Sequence, residues 1–432
     1  MNPVVVSVVV LTALCLLKFN IIIAIILSAV LAGLLGGMNI DTIMETFVTG
    51  MAGQNQTALS YILLGALAYG ISGTGLAAMF AESLERIFGK TGKWFVLILA
   101  GVACLSQNVI PIHIAFIPIL IPPLLHLMNR MKLDRRAAAC ALTFGLKAPY
   151  MLIPAGFGLI FHDIISKNMN DNGMEFQGDV WVAALLPTLG MLAGLLVAVF
   201  ITYRKERHYE DKPLIGVIEP DEASKKGFTI RHWGALIGAL TAFATQLIIG
   251  SLPLGATLGI LVMIASGAIK YKDFDKTLKG GIGMMGFIAF IMLVAAGYGA
   301  VIRETGGVLS LVEWALTIVG DNRLFAIIAM QAVGLLITMG IGTSFGTIPI
   351  IAVIFVPICA AMGFSPMAAA ALIISAGVTG DAGTPASDST LGPTAGLAAD
   401  GQHDHIYDTC IPTFVHFNFP IMIMGTIAAY VL

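Results

Sequence analysis

Long apolar runs separated by short polar clusters account for most of this 432-residue chain. A helix that crosses a bilayer needs about 17–25 mostly apolar residues. Runs near that length mark candidate spans at Pro3–Leu17, Ile21–Leu35, Thr57–Ala81, Trp181–Tyr203, Trp233–Ile249, Pro253–Ile269, Gly283–Val301 and Ile411–Leu432. Two further runs, 94–127 and 324–362, are too long for one straight span, since 34 residues reach about 50 Å at 1.5 Å per residue. Each holds a polar cluster near its middle, Ser106-Gln107-Asn108 in the first and Gly342-Thr343-Ser344-Phe345-Gly346-Thr347 in the second. They read as re-entrant hairpins with polar tips. Two other runs, 137–165 and 367–399, are interrupted by LKAPYMLIPAG and by GVTGDAGTPASDSTLGP, and read as broken helices. The pattern therefore predicts an all-α polytopic membrane protein of ten spans plus two hairpins.

Composition agrees. The chain is 58% hydrophobic and 11% charged, against about 25% charged residues in soluble domains, and its mean hydropathy is +0.92. The 48 glycines suit close helix packing and helix breaks. Five scattered cysteines show no metal-ligand spacing and read as reduced packing residues. The N-terminus enters apolar sequence without a basic stretch or cleavage site, as expected of a retained first helix. A net charge of −2 without a basic stripe gives no reason to expect a nucleic acid partner.

Most lysines and arginines fall in five clusters: Lys18; Arg86 to Lys93; Arg130 to Arg136; Arg204 to Arg231; and Lys270 to Lys279. If all five are cytoplasmic, the first hairpin opens inward, the second outward, and both termini lie outside. Offsetting the chain by 231 positions aligns Thr74-Gly75 with Thr305-Gly306, Ala137 to Ala139 with Ala368 to Ala370, and Pro154-Ala155 with Pro385-Ala386. Each half has the same order: three spans, a hairpin, a broken helix, one more span. Five spans is an odd number, so the second half must be inverted. Residues 1–203 form the first repeat, 204–231 a cytoplasmic linker and 232–432 the second repeat. The amphipathic segments Ala77–Gly89 and Val308–Gly320 either lie along the membrane surface or continue the preceding helices.

Hairpin tips and helix breaks converging at the midplane are where secondary transporters bind ions and substrates. Half-helix N-termini suit a substrate carboxylate, while carbonyls, hydroxyls and carboxylates suit Na+. Asp381 and Asp388 are the strongest candidates, because intramembrane carboxylates are functional by default. Thr384, Ser387, Ser389 and Thr390 cluster with them as cation ligands, with Asp381, Thr384 and Ser387 also within reach of a substrate. Lys147, the one base placed at membrane depth, could replace a bound cation, fix a substrate carboxylate or pair with an aspartate of the other break. Ser106, Gln107, Asn108, Thr343, Ser344 and Thr347 either contact the substrate or cap the hairpin arms. His113 reads as a packing residue. His403, His405, Asp408 and His416 are expected to lock the cytoplasmic entrance to the last span rather than to bind metal. No phosphate loop and no HExxH motif is present, and no enzyme is expected.

The string Thr384-Pro385-Ala386-Ser387-Asp388-Ser389-Thr390 resembles the SPxSDTT-type signature of the NhaC-like Na+/H+ antiporter family. More closely, GDAGTPASDSTLGPTAGLAADGQHDHIYDTCIPTF is similar to bacterial permeases of that family, some of them histidine permeases. The similarity covers essentially the whole chain, and its last 50 residues are the most specific part. It implies a multi-pass protein of the bacterial inner membrane that moves an amino acid, histidine or another cationic or polar one, coupled to Na+ or H+ and needing no other cofactor. The wider resemblance is to the ion-transporter superfamily, which implies a homodimer with a scaffold and a moving domain working as an elevator. The tip Ser106-Gln107-Asn108 departs from the Ser-Asn-Thr tips of the dicarboxylate branch, which points away from a dicarboxylate. The alternative is a Na+/H+ antiporter without an organic substrate.

Overall fold

The computed structural model describes residues 2–17, 19–76, 92–108, 117–155, 157–213, 228–307, 310 and 322–432. Among them every regular element is a helix. The first half contains α1 (Pro3–Leu16), α2 (Ile21–Leu35), α3 (Ile40–Met51), α4 (Asn55–Thr74), α5 (Gly92–Asn108), α6 (Ile117–Arg130), α7 (Arg135–Leu152), α8 (Phe157–Asp171) and α9 (Val180–Val197, continued by the π-helical turn Ala198–Thr202). The second contains α10 (Ile230–Ile249), α11 (Leu252–Ala265), α12 (Phe274–Glu304), α13 (Arg323–Ile341), α14 (Ser344–Ala361), α15 (Pro366–Val378), α16 (Asp388–Leu397) and α17 (His405–Val431).

Helix starts follow local chemistry. Asn2, Asn20, Asn39, Asp134, Ser251, Asn322 and Ser365 each accept a hydrogen bond from the first turn of the helix that follows. This satisfies N–H groups that lipid could not. Packing is reciprocal between the halves. α1 packs on α2 as α10 does on α11, α2 on α12 as α11 on α4, and α4 and α12 on each other. Likewise α9 packs on α7 as α17 does on α15, and α6 on α16 as α14 on α8. The most enclosed helices are α7 and α15, where Ala137–Ala139 and Ala368–Ala370 are buried. Small side chains at these places let neighbouring backbones approach. A second apolar cluster, from Leu64 and Leu67 of α4 to Ile260 and Met263 of α11, is separate from the main core.

Several expectations need correction. Among the described residues four helices are long and apolar enough to cross a membrane alone, or seven if each bent pair is one span, so ten spans remain the sequence's reading. α1, α2, α11 and α15 are shorter apolar helices. The third span gains a preceding helix, α3, set at 46° to α4, and α12 runs for 31 residues. In both cases helix continues through charged residues such as Asp41 and Lys276 that a hydropathy window excludes. The last span begins at His405 rather than Ile411, which brings His405 and Asp408 into its first turns. The first broken helix stays helical through Leu152, so Lys147 precedes the break instead of lying in it. Ile153 is extended (φ −103°, ψ 118°) because the following Pro154 disfavours helical geometry there; the axis turns by 52°. α5 remains helical through Asn108, one residue beyond the middle of the predicted tip. The second tip is confined to Gly342-Thr343, with Ser344 already in α14. The segments 77–89 and 311–320, His113 and the side chains of Ser106, Gln107 and Asn108 lie outside the described residues.

Candidate functional site

The break between α15 and α16 is built from residues that cannot continue a helix and from partners that replace its lost hydrogen bonds. Gly380 (φ +94°) and Gly383 (φ +114°) adopt backbone angles that a Cβ opposes. Irregular backbone at membrane depth must be satisfied by protein or enclosed water. Asn418 of α17 supplies two partners: its side-chain carbonyl accepts from the Gly380 N–H at 3.1 Å, and its amide donates to Ala382 O at 2.8 Å. His405 Nε2 donates to Pro385 O at 2.9 Å. Thr384 donates to Met339 O at 3.3 Å and Thr390 to Thr384 O at 2.7 Å. The Ser387 hydroxyl caps α16 by accepting from Ser389 N. Thr384 and Thr390, expected as cation ligands, thus spend their hydroxyl protons on backbone carbonyls. Asn418 escaped the sequence reading; its signal was an amide within the apolar FVHFNFP.

At the centre, Lys147 of α7 forms an ion pair with Asp381. The two residues are 4% and 1% exposed. Asp381 Oδ2 also accepts from the Ser344 backbone N–H (3.1 Å) and hydroxyl (2.9 Å), and Oδ1 accepts from the Ser387 hydroxyl. Lys147 Nζ donates to Tyr150 OH at 3.2 Å, and that hydroxyl lies 2.8 Å from Ser344 Oγ. With Ser344 donating to Asp381, Tyr150 must donate to Ser344, which closes a ring of four side chains. Ser389 Oγ donates to Asp381 O at 3.1 Å, and Thr143 of α7 donates to Ser389 O at 2.9 Å. The rings of Tyr150, Phe161 and Phe345 pack together with centroids 5.0–5.7 Å apart. Of the three roles open to Lys147, the observed one is pairing with the other half's aspartate.

Asp388 lies outside this ring but adjoins it, its Oδ1 3.4 Å from the Ser387 hydroxyl. It opens α16 and lines a neighbouring cavity of about 210 Å³ with Thr343, Ala386 and, from α12, Arg303. Thr347 donates within its own helix to Thr343 O at 2.9 Å. The predicted set is thus divided: Lys147, Ser344, Asp381, Ser387 and Ser389 meet, Thr343 and Asp388 face the adjacent cavity, and Thr347, Thr384 and Thr390 hold backbone.

Beyond the last turn of α16 lies a second charged group. Arg135 makes a two-pronged contact with Asp400 (2.7 and 2.5 Å) and donates to Leu397 O at 3.0 Å. Tyr209 stacks under the Arg135 guanidinium at 4.2 Å, Arg207 pairs with Asp408 at 2.6 Å, and Gln402 bonds the Glu210 backbone. Burial alone would raise the Asp400 carboxyl, but the Arg135 bonds and charge, with Gln402, hold it below the usual range. His403 sits 2.7 Å from Thr409 Oγ1, and burial holds its imidazole well below the ordinary value. Among the described residues no three His, Cys, Asp or Glu side chains converge for a metal ion. His405 was expected at the entrance; its bond to Pro385 O places its action on the break itself.

A family model described as "Na+/H+ antiporter family" matches residues 141–428, and one described as "Na+-H+ antiporter family" matches residues 2–88. The chain belongs to the Na+/H+ antiporter family. An uncharacterised membrane protein of Vibrio parahaemolyticus is 49% identical over the full length of both chains. YuiF of Bacillus subtilis, provisionally named an amino acid transporter, is 44% identical, again over both full lengths. Among solved structures, the YdaH transporter of Alcanivorax borkumensis overlaps 90% of this chain and 87% of its own at a TM-score of 0.43 and 14% identity. This family consists of membrane transporters, not enzymes, and the all-helical, apolar architecture is that of a polytopic membrane protein.

Proposed function

We propose that this protein is a secondary transporter of a small amino acid, with histidine or another cationic or polar amino acid favoured, driven by Na+ or H+ across the bacterial inner membrane. The observation that carries the reading is the buried Lys147–Asp381 pair, with Ser344 and Ser387 on the same carboxylate. A carboxylate already neutralised by a tethered ammonium is a place where a mobile cation competes with a fixed one. Na+ entering at Asp381, with Ser387 and Ser389 as further oxygen ligands, releases Lys147; its departure lets Lys147 return. That exchange gives the site two electrostatic states, as a coupling ion requires. The provisional name of the full-length relative YuiF supports an amino acid as cargo.

The reciprocal packing of the halves is consistent with the inverted repeat of 1–203 and 232–432, and with hairpins and broken helices sliding together against α1–α4 and α10–α12. The exposed apolar faces of α2 and α10 suit lipid or a second copy in a homodimer. The family match also favours a second reading, Na+/H+ exchange without organic cargo, for which the same exchange at Asp381 would suffice. Reconstitution into proteoliposomes separates the two. Na+- or pH-driven uptake of a radiolabelled amino acid supports the first; a Na+-driven pH change with no uptake of any amino acid reverses the ranking.

A further inference from the structure

A cavity of about 210 Å³ lies beside the breaks. Glycine and alanine backbone from α12 and from the bend between α3 and α4 forms one side, and the breaks at Gly342 and Ala386 form the other. Among the described residues its charged side chains are one base and one acid from different elements, Arg303 of α12 and Asp388 of α16. A Cβ built on Gly299 would lie 3.5 Å from Arg303 Nη1 and 3.4 Å from Ile341 O. The guanidinium is therefore folded back one turn along α12, towards the tip at Gly342-Thr343. Gln54, at the bend between α3 and α4, and Thr343 add neutral hydrogen-bonding groups.

We propose that this cavity seats the zwitterion of an α-amino acid, with Arg303 holding the carboxylate and Asp388 the ammonium. The proposal rests on the reading of the protein as an amino acid transporter and assigns the substrate to a cavity adjoining the Lys147–Asp381 cation site. Size and charge both favour it. The volume falls below the roughly 300–1,000 Å³ of pockets for drug-sized ligands, which suits a small solute. A guanidinium matches a carboxylate with two parallel hydrogen bonds. An amine, a monocarboxylate or bare Na+ matches one of the two charged walls of the cavity and not the other. A zwitterion meets both.

The test uses the purified full-length protein in proteoliposomes with radiolabelled histidine, lysine, serine and alanine. Whichever is transported is challenged with its decarboxylated amine and its deaminated acid; for histidine these are histamine and imidazolepropionate. In the wild type both analogues should compete at least about tenfold more weakly than the amino acid, the lower end of a charged hydrogen bond's contribution. Arg303→Gln should raise KM about 10- to 100-fold and make the amine as good a competitor as the amino acid. Asp388→Asn should do the converse with the acid. Where a variant carries no measurable flux, the same preference is read from thermal stabilisation of the purified variant by each compound, with Arg303→Lys expected to regain part of the carboxylate preference. A wild type that takes up no amino acid overturns the transport reading and this proposal together. A wild type that does, while Arg303→Gln and Asp388→Asn keep the wild-type order of competitors, overturns this proposal alone.

Discussion

Lys147 of the first broken helix and Asp381 of the second break form a buried ion pair that joins the two halves of the chain at their centre. The charges are far apart in sequence and come from opposite halves of the chain, Lys147 from α7 and Asp381 from the break after α15, so neither half can supply the pair alone. A buried pair is a poor source of net stability, but losing one partner is expensive because the other charge stays buried. Asp381→Asn should therefore lower stability by about 3–5 kcal/mol and abolish cation-dependent uptake. The double variant Lys147→Met, Asp381→Leu should unfold near the wild-type temperature and still fail to transport. Thermal unfolding in detergent and Na+-driven uptake check both; a single variant as stable as the wild type would contradict the buried pair.

Much of this site was legible in the sequence, and the misses have physical causes. Asp381, Ser387 and Lys147 stand out because polar groups in apolar runs need a reason to be there. Tyr150 did not, because an apolar run accommodates a tyrosine readily and only its hydroxyl, 2.8 Å from Ser344, gives it a role. Asp388 reads as the equal of Asp381 from spacing alone. Yet the α16 cap at Ser387 turns the chain between them: Asp381 pairs with Lys147, whereas Asp388, 3.4 Å from the same Ser387 hydroxyl, lines the adjacent cavity. Helix ends were misplaced where charged residues extend a helix past the apolar window, as in α3 and α12. Arg303 was passed over for that reason, being a base near the end of a span whose side chain folds back along the helix beside Gly299.

Asn418 is predicted to matter for the break rather than for the ion. Asn418→Leu would leave the Gly380 N–H and the Ala382 carbonyl without their observed partners. Each unsatisfied buried group costs about 1–3 kcal/mol, so the variant should lose several degrees of thermal stability. Amide exchange at Gly380 in the purified protein should quicken by at least about tenfold, one 1.4 kcal/mol step. Unchanged exchange would show that the break is held by other contacts.

Acid should act on the network around Asp400 within a defined window. Its folded carboxyl lies below the ordinary value because the Arg135 contacts outweigh burial. Stability from this group is therefore complete above the unfolded carboxylate pKa of about 3.9 and is lost as pH falls through the lower folded value. Between pH 8 and 5 it should contribute a constant amount. Asp400→Asn should cost about 3–5 kcal/mol at pH 7 by leaving Arg135 buried without its anion. The gap between variant and wild type should narrow below about pH 4. Unfolding temperatures at pH 7, 5 and 3 test this, and a gap that stays the same at pH 3 would refute the linkage.

Tyr150 offers a sharper test of the exchange at Asp381. Its hydroxyl is 3.2 Å from Lys147 Nζ and is the neutral partner that stays with the ammonium when a mobile cation takes the carboxylate. Tyr150→Phe keeps the ring packing against Phe161 and Phe345, and Ser344 keeps its own bond to Asp381. Stability should fall by only about 1 kcal/mol, the net value of a typical hydrogen bond. Cation binding should suffer more, because the displaced Lys147 loses a hydrogen bond to a charged group, worth about 1.5–3 kcal/mol. The half-saturating Na+ or H+ concentration for uptake should therefore rise about 10- to 100-fold, with the amino acid KM at saturating cation little changed. A variant with the wild-type cation dependence would show that Lys147 does not leave Asp381 during transport.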